Sequence, residues 1–189
     1  MKLRSMLSAL VALSAVAAYA GEDATPFTAK LQLVSPQGNL RQLTGSAIGY
    51  GLELAWDFNQ GNYLSFQAHA DHFVVRGKKT GGLEKFDAKG TFIGVDARYQ
   101  TAFGTVFSGP VIVTWDIYGE PTAAGGTGAL GESGWKLGWR VGYDYPVNKT
   151  WNVGISYTVA EYKSTQGAVA NRVSPLNPSF VKVGVGYQF

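Results

Sequence analysis

The sequence predicts an all-β fold, an eight-stranded antiparallel up-and-down transmembrane β-barrel, and three observations predict it. Apolar and polar residues alternate with period two from Phe27 to Phe189, as they do in strands, where successive side chains point to opposite faces. Long and short connections alternate along the chain. One of the two faces defined by the alternation carries no Asp, Glu, Lys or Arg, although these make up 15% of the residues.

Eight segments carry the pattern. Residues 27–34 place Phe27, Ala29, Leu31 and Leu33 on one face and Thr28, Lys30 and Gln32 on the other. Residues 46–58 set Ile48, Tyr50, Leu52, Leu54, Trp56 and Phe58 against Gly49, Gly51, Glu53, Ala55 and Asp57. Residues 63–75 set Leu64, Phe66, Ala68, Ala70, His72 and Val74 against Ser65, Gln67, His69 and Asp71. Residues 91–103 set Ile93, Val95, Ala97, Tyr99, Thr101 and Phe103 against Gly94, Asp96, Arg98 and Gln100. Residues 107–118 are read with Val111, Val113, Trp115 and Ile117 on the apolar face and Ser108, Thr114 and Asp116 on the polar one. Ile112 interrupts that polar face, and Pro110 has no ladder N–H to donate. Residues 135–145 set Trp135, Leu137, Trp139, Val141, Tyr143 and Tyr145 against Lys136, Gly138, Arg140, Gly142 and Asp144. Residues 151–162 set Trp151, Val153, Ile155, Tyr157 and Val159 against Asn152, Gly154, Ser156, Thr158 and Ala160. Residues 180–189 set Val181, Val183, Val185, Tyr187 and Phe189 against Lys182, Gly184, Gly186 and Gln188.

Residues 35–45, 76–90, 119–134 and 163–179 form the long connections, and 59–62, 104–105 and 146–149 the short ones. This is the order of a membrane barrel with short periplasmic turns and long extracellular loops. The glycine-rich stretch 123–131 has no phosphate-loop lysine and reads as a flexible surface loop.

Alternation alone also fits a soluble lipocalin-like barrel with its apolar face inward. The apolar face is too bulky for that. It carries Trp56, Trp115, Trp135, Trp139 and Trp151, whereas an eight-stranded barrel is only wide enough inside for side chains to fill. The opposite face is rich in Gly, Ala and Ser, which suit a narrow interior. Aromatics gather at strand ends, at Trp56, Phe58, Phe103, Phe107, Tyr143, Tyr145 and Trp151, where a membrane-interface girdle belongs.

Upstream of the strands, Lys2 and Arg4 precede an apolar stretch over residues 6–18, and Ala18-Tyr19-Ala20 supplies small residues before the polar Gly21-Glu22-Asp23. This reads as a secretory signal peptide over residues 1–20, leaving one barrel domain over 21–189. Loss of Lys2 and Arg4 takes the formal charge from +3 down by two to +1, which removes the case for a nucleic-acid partner. The chain has no cysteine, so its stability does not come from disulfides. No later run approaches 18 apolar residues, which excludes a helical membrane protein.

The last residues, Val181 to Phe189, alternate up to a terminal aromatic residue. They resemble the C-terminal assembly signal of bacterial outer-membrane proteins, with Val185, Tyr187 and Phe189 as its apolar positions. The mature chain then resembles the eight-stranded barrels of the OmpA-transmembrane-domain and OmpX type. That resemblance implies a bacterial outer-membrane location, surrounding lipid and lipopolysaccharide, the barrel-assembly machinery as a partner during insertion, and a monomer.

The inward face sets Lys30, Arg98, Lys136, Arg140 and Lys182 against Glu53, Asp57, Asp71, Asp96, Asp116 and Asp144, with His69 among them. Charges in so narrow a space must pair, so a polar interior network that plugs the barrel is expected. A narrow channel for small solutes is the alternative, and a periplasmic lipocalin-like binder a further one. Arg76, Lys78, Lys79, Lys85 and Lys89 cluster in and beside the second long connection, with Glu84 and Asp87 as partial compensation; they read first as a solvated loop, and as the sharper expectation a contact for lipopolysaccharide phosphates at the outer leaflet. Lipid A deacylase barrels use a lipid-facing His and Ser two residues apart; here Val74 follows His72 at that spacing, so no catalytic residue carries over. With two His and no Cys, neither a metal nor another cofactor is expected. The expected role is non-enzymatic, structural or interactive through the loops.

Overall fold

The computed structural model describes residues 27–38, 41, 47–58, 63–77, 83–121, 128–160 and 179–189, with 83–87, 115–121 and 128–134 described by backbone only. Eight strands follow one another: β1 (Phe27–Gln37), β2 (Gly49–Phe58), β3 (Leu64–Arg76), β4 (Leu83–Thr101), β5 (Gly104–Pro121), β6 (Gly128–Pro146), β7 (Trp151–Ala160) and β8 (Ser179–Gln188). Each pairs antiparallel with the next, and β8 returns to β1 to close the barrel. At the seam Thr28 stands opposite Gln188 and Leu33 opposite Val183, and the Phe189 amide donates to the Phe27 carbonyl at 2.9 Å. Closure pairs the strand edges with each other, the condition for a sheet to cross lipid. The signal-peptide segment lies outside the described residues.

Local chemistry shapes the tight turns. Between β4 and β5, Thr101 Oγ1 donates to the Gly104 carbonyl at 2.7 Å and accepts from the Phe103 amide at 3.2 Å. Gly104 has φ +150°, and a Cβ there would run into Tyr143. Between β6 and β7, Asn148 Oδ1 accepts from the Thr150 and Trp151 amides, both at 2.9 Å, an Asx-type turn.

Seven strands present the faces their alternation predicts, and β5 is inverted. Phe107, Val111 and Val113 are buried inside, while Val106 and Ile112 are exposed on the outer wall. The reason is register. Thr101 pairs with Gly104 across a two-residue turn, so odd positions of β4 lie opposite even positions of β5: Ile93 faces Ile112, and Ala97 faces Ser108. Both faces of residues 106–113 are apolar, so composition did not choose between them. Ser108 sits on the outer wall with its hydroxyl satisfied, accepting from Trp139 Nε1 at 2.8 Å and donating to the Arg140 carbonyl at 3.1 Å. Phe107 therefore leaves the predicted aromatic girdle for the interior. Asp116, expected inside, is described by backbone only; its position pairs with that of Lys89 in the row beyond Thr91 and Thr114.

The strands also run further than predicted. The ladder continues through Arg76 opposite Asp87, Lys85 opposite Glu120 and Gly119 opposite Gly128, shortening the connections predicted at 76–90 and 119–134. Residues 128–131, predicted as loop, belong to β6. Charges at alternate positions look like loop from the standpoint of a lipid-facing wall, but above the bilayer an outward face meets water and tolerates them. Irregularities after Val113 and Ile117 in the β5–β6 ladder bend this extension.

Aromatics ring the short-turn end. Phe27 stacks on Trp56 at 6.4 Å, Trp56 contacts Phe58 at 5.6 Å, and Tyr187 contacts Trp151 and Phe189 at 5.0 Å each. Val185, Tyr187 and Phe189 lie on the outer wall here.

The inversion of β5 is measurable. A fluorophore on Ile112→Cys is expected to be quenched by doxyl-labelled lipid, whereas Val113→Cys resists labelling in the folded barrel; Ile112→Arg is expected to cost about 2–4 kcal/mol in urea unfolding from vesicles.

Candidate functional site

Inward positions of all eight strands face one another across the barrel interior. The polar part is one connected network. Lys30 of β1 bonds Asp144 of β6 at 2.8 Å and lies 3.7 Å from Glu53 of β2. Arg140 of β6 reaches Glu53 Oε2 at 2.6 Å and Asp96 of β4 at 2.8 Å. Arg98 of β4 ties Asp144 at 3.0 Å to the Gln67 amide oxygen at 2.8 Å, and Gln67 in turn donates to Asp57 at 2.9 Å. Gln32 donates to Glu53 at 2.7 Å. Lys182 of β8 pairs with Asp71 of β3. Glu53, Asp71, Asp96, Arg140 and Lys182 are at most 1% exposed, so these contacts operate in low dielectric, where an unpaired ion costs several kcal/mol.

Glu53, His69 and Asp71 bring one ligand-type atom each within 4.8 Å of the others, the closest approach to a metal-binding trio among the described residues. The group that fills their centre is a guanidinium. Arg140 Nη1 lies 2.6 Å from Glu53 Oε2, 3.4 Å from His69 Nδ1 and 3.9 Å from Asp71 Oδ2. A divalent ion would have to displace a cation already held by the same oxygens.

Aromatic rings complete the filling, and the predicted site residues did not include them. Phe107 lies among the cations, its centroid 4.7 Å from Arg140, 5.5 Å from Arg98 and 5.8 Å from Lys30, distances typical of cation–π attraction. Room for it comes from Gly142, where a Cβ would fall on the Phe107 ring; Gly94 likewise makes room for the His69 imidazole. Towards the other end of the barrel Phe73, Phe92 and Phe180 form a buried trio with centroids 4.8–6.0 Å apart. Lys182 Nζ sits 4.0 Å from the Phe92 centroid, joining this trio to the ionic network. The space left beside Lys30, Glu53, Phe107, Asp144 and Lys182 holds no water-sized gap.

The predicted interior residues thus come together with one exception. Lys30, Glu53, Asp57, His69, Asp71, Asp96, Arg98, Arg140, Asp144 and Lys182 are joined within it, and Lys136 shares the inner face opposite Val113; Asp116 is described by backbone only, at a position opposite Lys89. Of the basic group, Arg76 and Lys89 are exposed on outward positions of β3 and β4. Lys85 lies on β4 opposite Glu120, and Lys78 and Lys79 lie outside the described residues. Phe107 followed from the turn register only once the turn stood at 102–103 and not at 104–105; Phe73 and Phe180 were detectable from parity with His69, Asp71 and Lys182, but apolar residues on an otherwise polar face give no chemical signal.

Loss of one partner should expose the network's cost. Arg140→Met is expected to destabilise the barrel by about 3–5 kcal/mol, and Glu53→Gln combined with it to cost less than the two single changes together; urea unfolding from vesicles followed by tryptophan fluorescence measures both.

The geometry has clear relatives. Neisserial surface protein A superposes with a TM-score of 0.50 at 14% identity, covering 86% of this chain and 94% of that one. Ail, the attachment invasion locus protein of Yersinia pestis, gives 0.51 at 11% identity over 88% and 99%. A major outer membrane protein from Thermus thermophilus gives 0.51 at 12% over 88% and 100%. At these identities the likeness is one of fold. No curated protein matches in sequence. The outer membrane protein beta-barrel domain, in contrast, matches residues 6–189, and the chain belongs to that family.

Proposed function

We propose that this protein is a non-enzymatic, non-conducting outer-membrane barrel that serves as a rigid anchor and presents its connection-rich end to the surroundings. One observation carries the reading: among the described residues, inward side chains between Asp57 and Phe180 meet as paired ions and stacked rings, with no water-sized gap beside the central ion pairs. A solute would have to break several buried ion pairs to pass. Inside the barrel His69 contacts the Arg140 guanidinium, and on the outer wall His72 bonds Thr91.

The partners follow from the two ends. The outward aromatic and aliphatic positions Val185, Tyr187 and Phe189 suit recognition by the assembly machinery at the periplasmic side. Arg76, Lys78, Lys79, Lys85 and Lys89 suit lipopolysaccharide phosphates at the other. The barrel is read as a monomer, since lipid suffices to cover its apolar wall.

Planar-bilayer recording of the refolded protein tests the central claim. The expected trace shows no reproducible open level; a steady level of porin size refutes it and favours a solute channel. Charge reversal at Lys78 and Lys79 is expected to weaken binding of lipopolysaccharide to the refolded protein, measured by retention in detergent.

A further inference from the structure

Apart from Ser108, whose hydroxyl Trp139 and the Arg140 carbonyl satisfy, the lipid-facing wall of the described residues carries a row of polar side chains. His72, Thr91 and Thr114 stand side by side on β3, β4 and β5, with His72 Nδ1 3.0 Å from Thr91 Oγ1. Two residues towards the membrane centre the same strands carry Ala70, Ile93 and Ile112. Followed the other way around the barrel, the row continues as Leu52, Leu31 and Val185, all apolar. On the β2 side the polar group therefore ends at β3. Its parity is that of Leu64, Ile93 and Ile112, which are exposed on the wall.

Polar atoms facing lipid are costly unless they find partners. The His72–Thr91 bond satisfies part of this demand, yet an imidazole and a hydroxyl each have capacity for more. The next rows outward add cations. Lys89 and Arg76, both exposed, lie two and four residues beyond Thr91 and His72 respectively, about 7 and 13 Å further along the strands. Asp116 and Asp87 stand across the ladder from them, so charge alone does not select a ligand; the hydrogen-bonding row beneath must do so. Three strands span about 10 Å, the breadth of a disaccharide headgroup.

We propose that His72, Thr91 and Thr114 form a docking surface for one lipopolysaccharide molecule, hydrogen-bonding the sugar and amide groups of its diglucosamine headgroup while Lys89 and Arg76 reach a phosphate. This rests on the orientation given above, with the connection-rich end outside, and it moves the contact from the loops to the barrel wall. Lipid packed against the wall is read through hydroxyl and imidazole groups and only secondarily through charge.

The test is native mass spectrometry of the full refolded chain in detergent with added lipid A, its dephosphorylated form, or phosphatidylglycerol. The wild type is expected to retain one lipid A and to prefer it over phosphatidylglycerol. His72→Leu with Thr91→Val, which makes the wall more apolar and so favours insertion, is expected to lower retention about tenfold, as loss of one or two hydrogen bonds does, with heat-modifiable migration intact. Thr91→Ser is expected to keep retention. Arg76→Gln with Lys89→Gln is expected to erase the preference for the phosphorylated form while binding of the dephosphorylated form persists. Undiminished retention by the His72/Thr91 double variant overturns the wall site. If Lys78→Glu with Lys79→Glu alone abolishes binding, the loop contact stands and the wall site falls; if the wild type retains no lipid A, both fall.

Discussion

Closure of the backbone ladder is the constraint from which the other features follow. A sheet that crosses hydrocarbon has no water to satisfy a free edge, so β8 must pair with β1. With eight strands this sets a radius that leaves only side-chain width inside. Every inward residue then contacts residues from strands distant in sequence. Lys30 meets Asp144, Glu53 meets Arg140, and Lys182 meets Asp71, pairs that no local segment brings together.

The narrow radius brings the interior charges into direct contact. Residues that would line a wide channel with hydrated ions here neutralise one another directly. The arrangement trades solvation for pairing, and the pairing is shared: Glu53 is held by Arg140, Gln32 and Lys30, and Arg140 spans Glu53 and Asp96. Phe107 within this set offers its ring face to three cations, and the Phe73, Phe92 and Phe180 trio ends the network on its far side. Small residues opposite large ones, Gly142 against Phe107 and Gly94 against His69, let the filling fit without moving the wall.

Outside, the same wall solves a different problem at each height. Through the bilayer it is aliphatic and aromatic, with the hydroxyl of Ser108 absorbed by Trp139. At the short-turn end it is aromatic. At the opposite end, β4, β5 and β6 continue past the point where lipid demands apolar residues, with Lys89 exposed there and the β5–β6 ladder shifting after Val113 and Ile117. The transition between these zones lies on the β3–β5 side at His72, Thr91 and Thr114.

Period-two alternation determined the existence, number and order of the strands, and on seven of them it also determined which face is buried, because one face was apolar and the other polar. For β5 both faces were apolar, and the deciding fact was the two-residue turn at 102–103, which forces odd-to-even pairing with β4. The turn was expected at 104–105 and lies at 102–103, so composition within β5 alone could not set its faces, and Phe107 was placed on the wrong side. The sequence by itself determined the strand pattern, the membrane-facing wall and which charges share the interior, since these follow from local periodicity and the cost of charge in lipid. Only the tertiary structure decided which cation meets which carboxylate, that Arg140 fills the space among Glu53, His69 and Asp71, and that the outer ends of β4–β6 extend as sheet, because each depends on register between strands far apart in the chain.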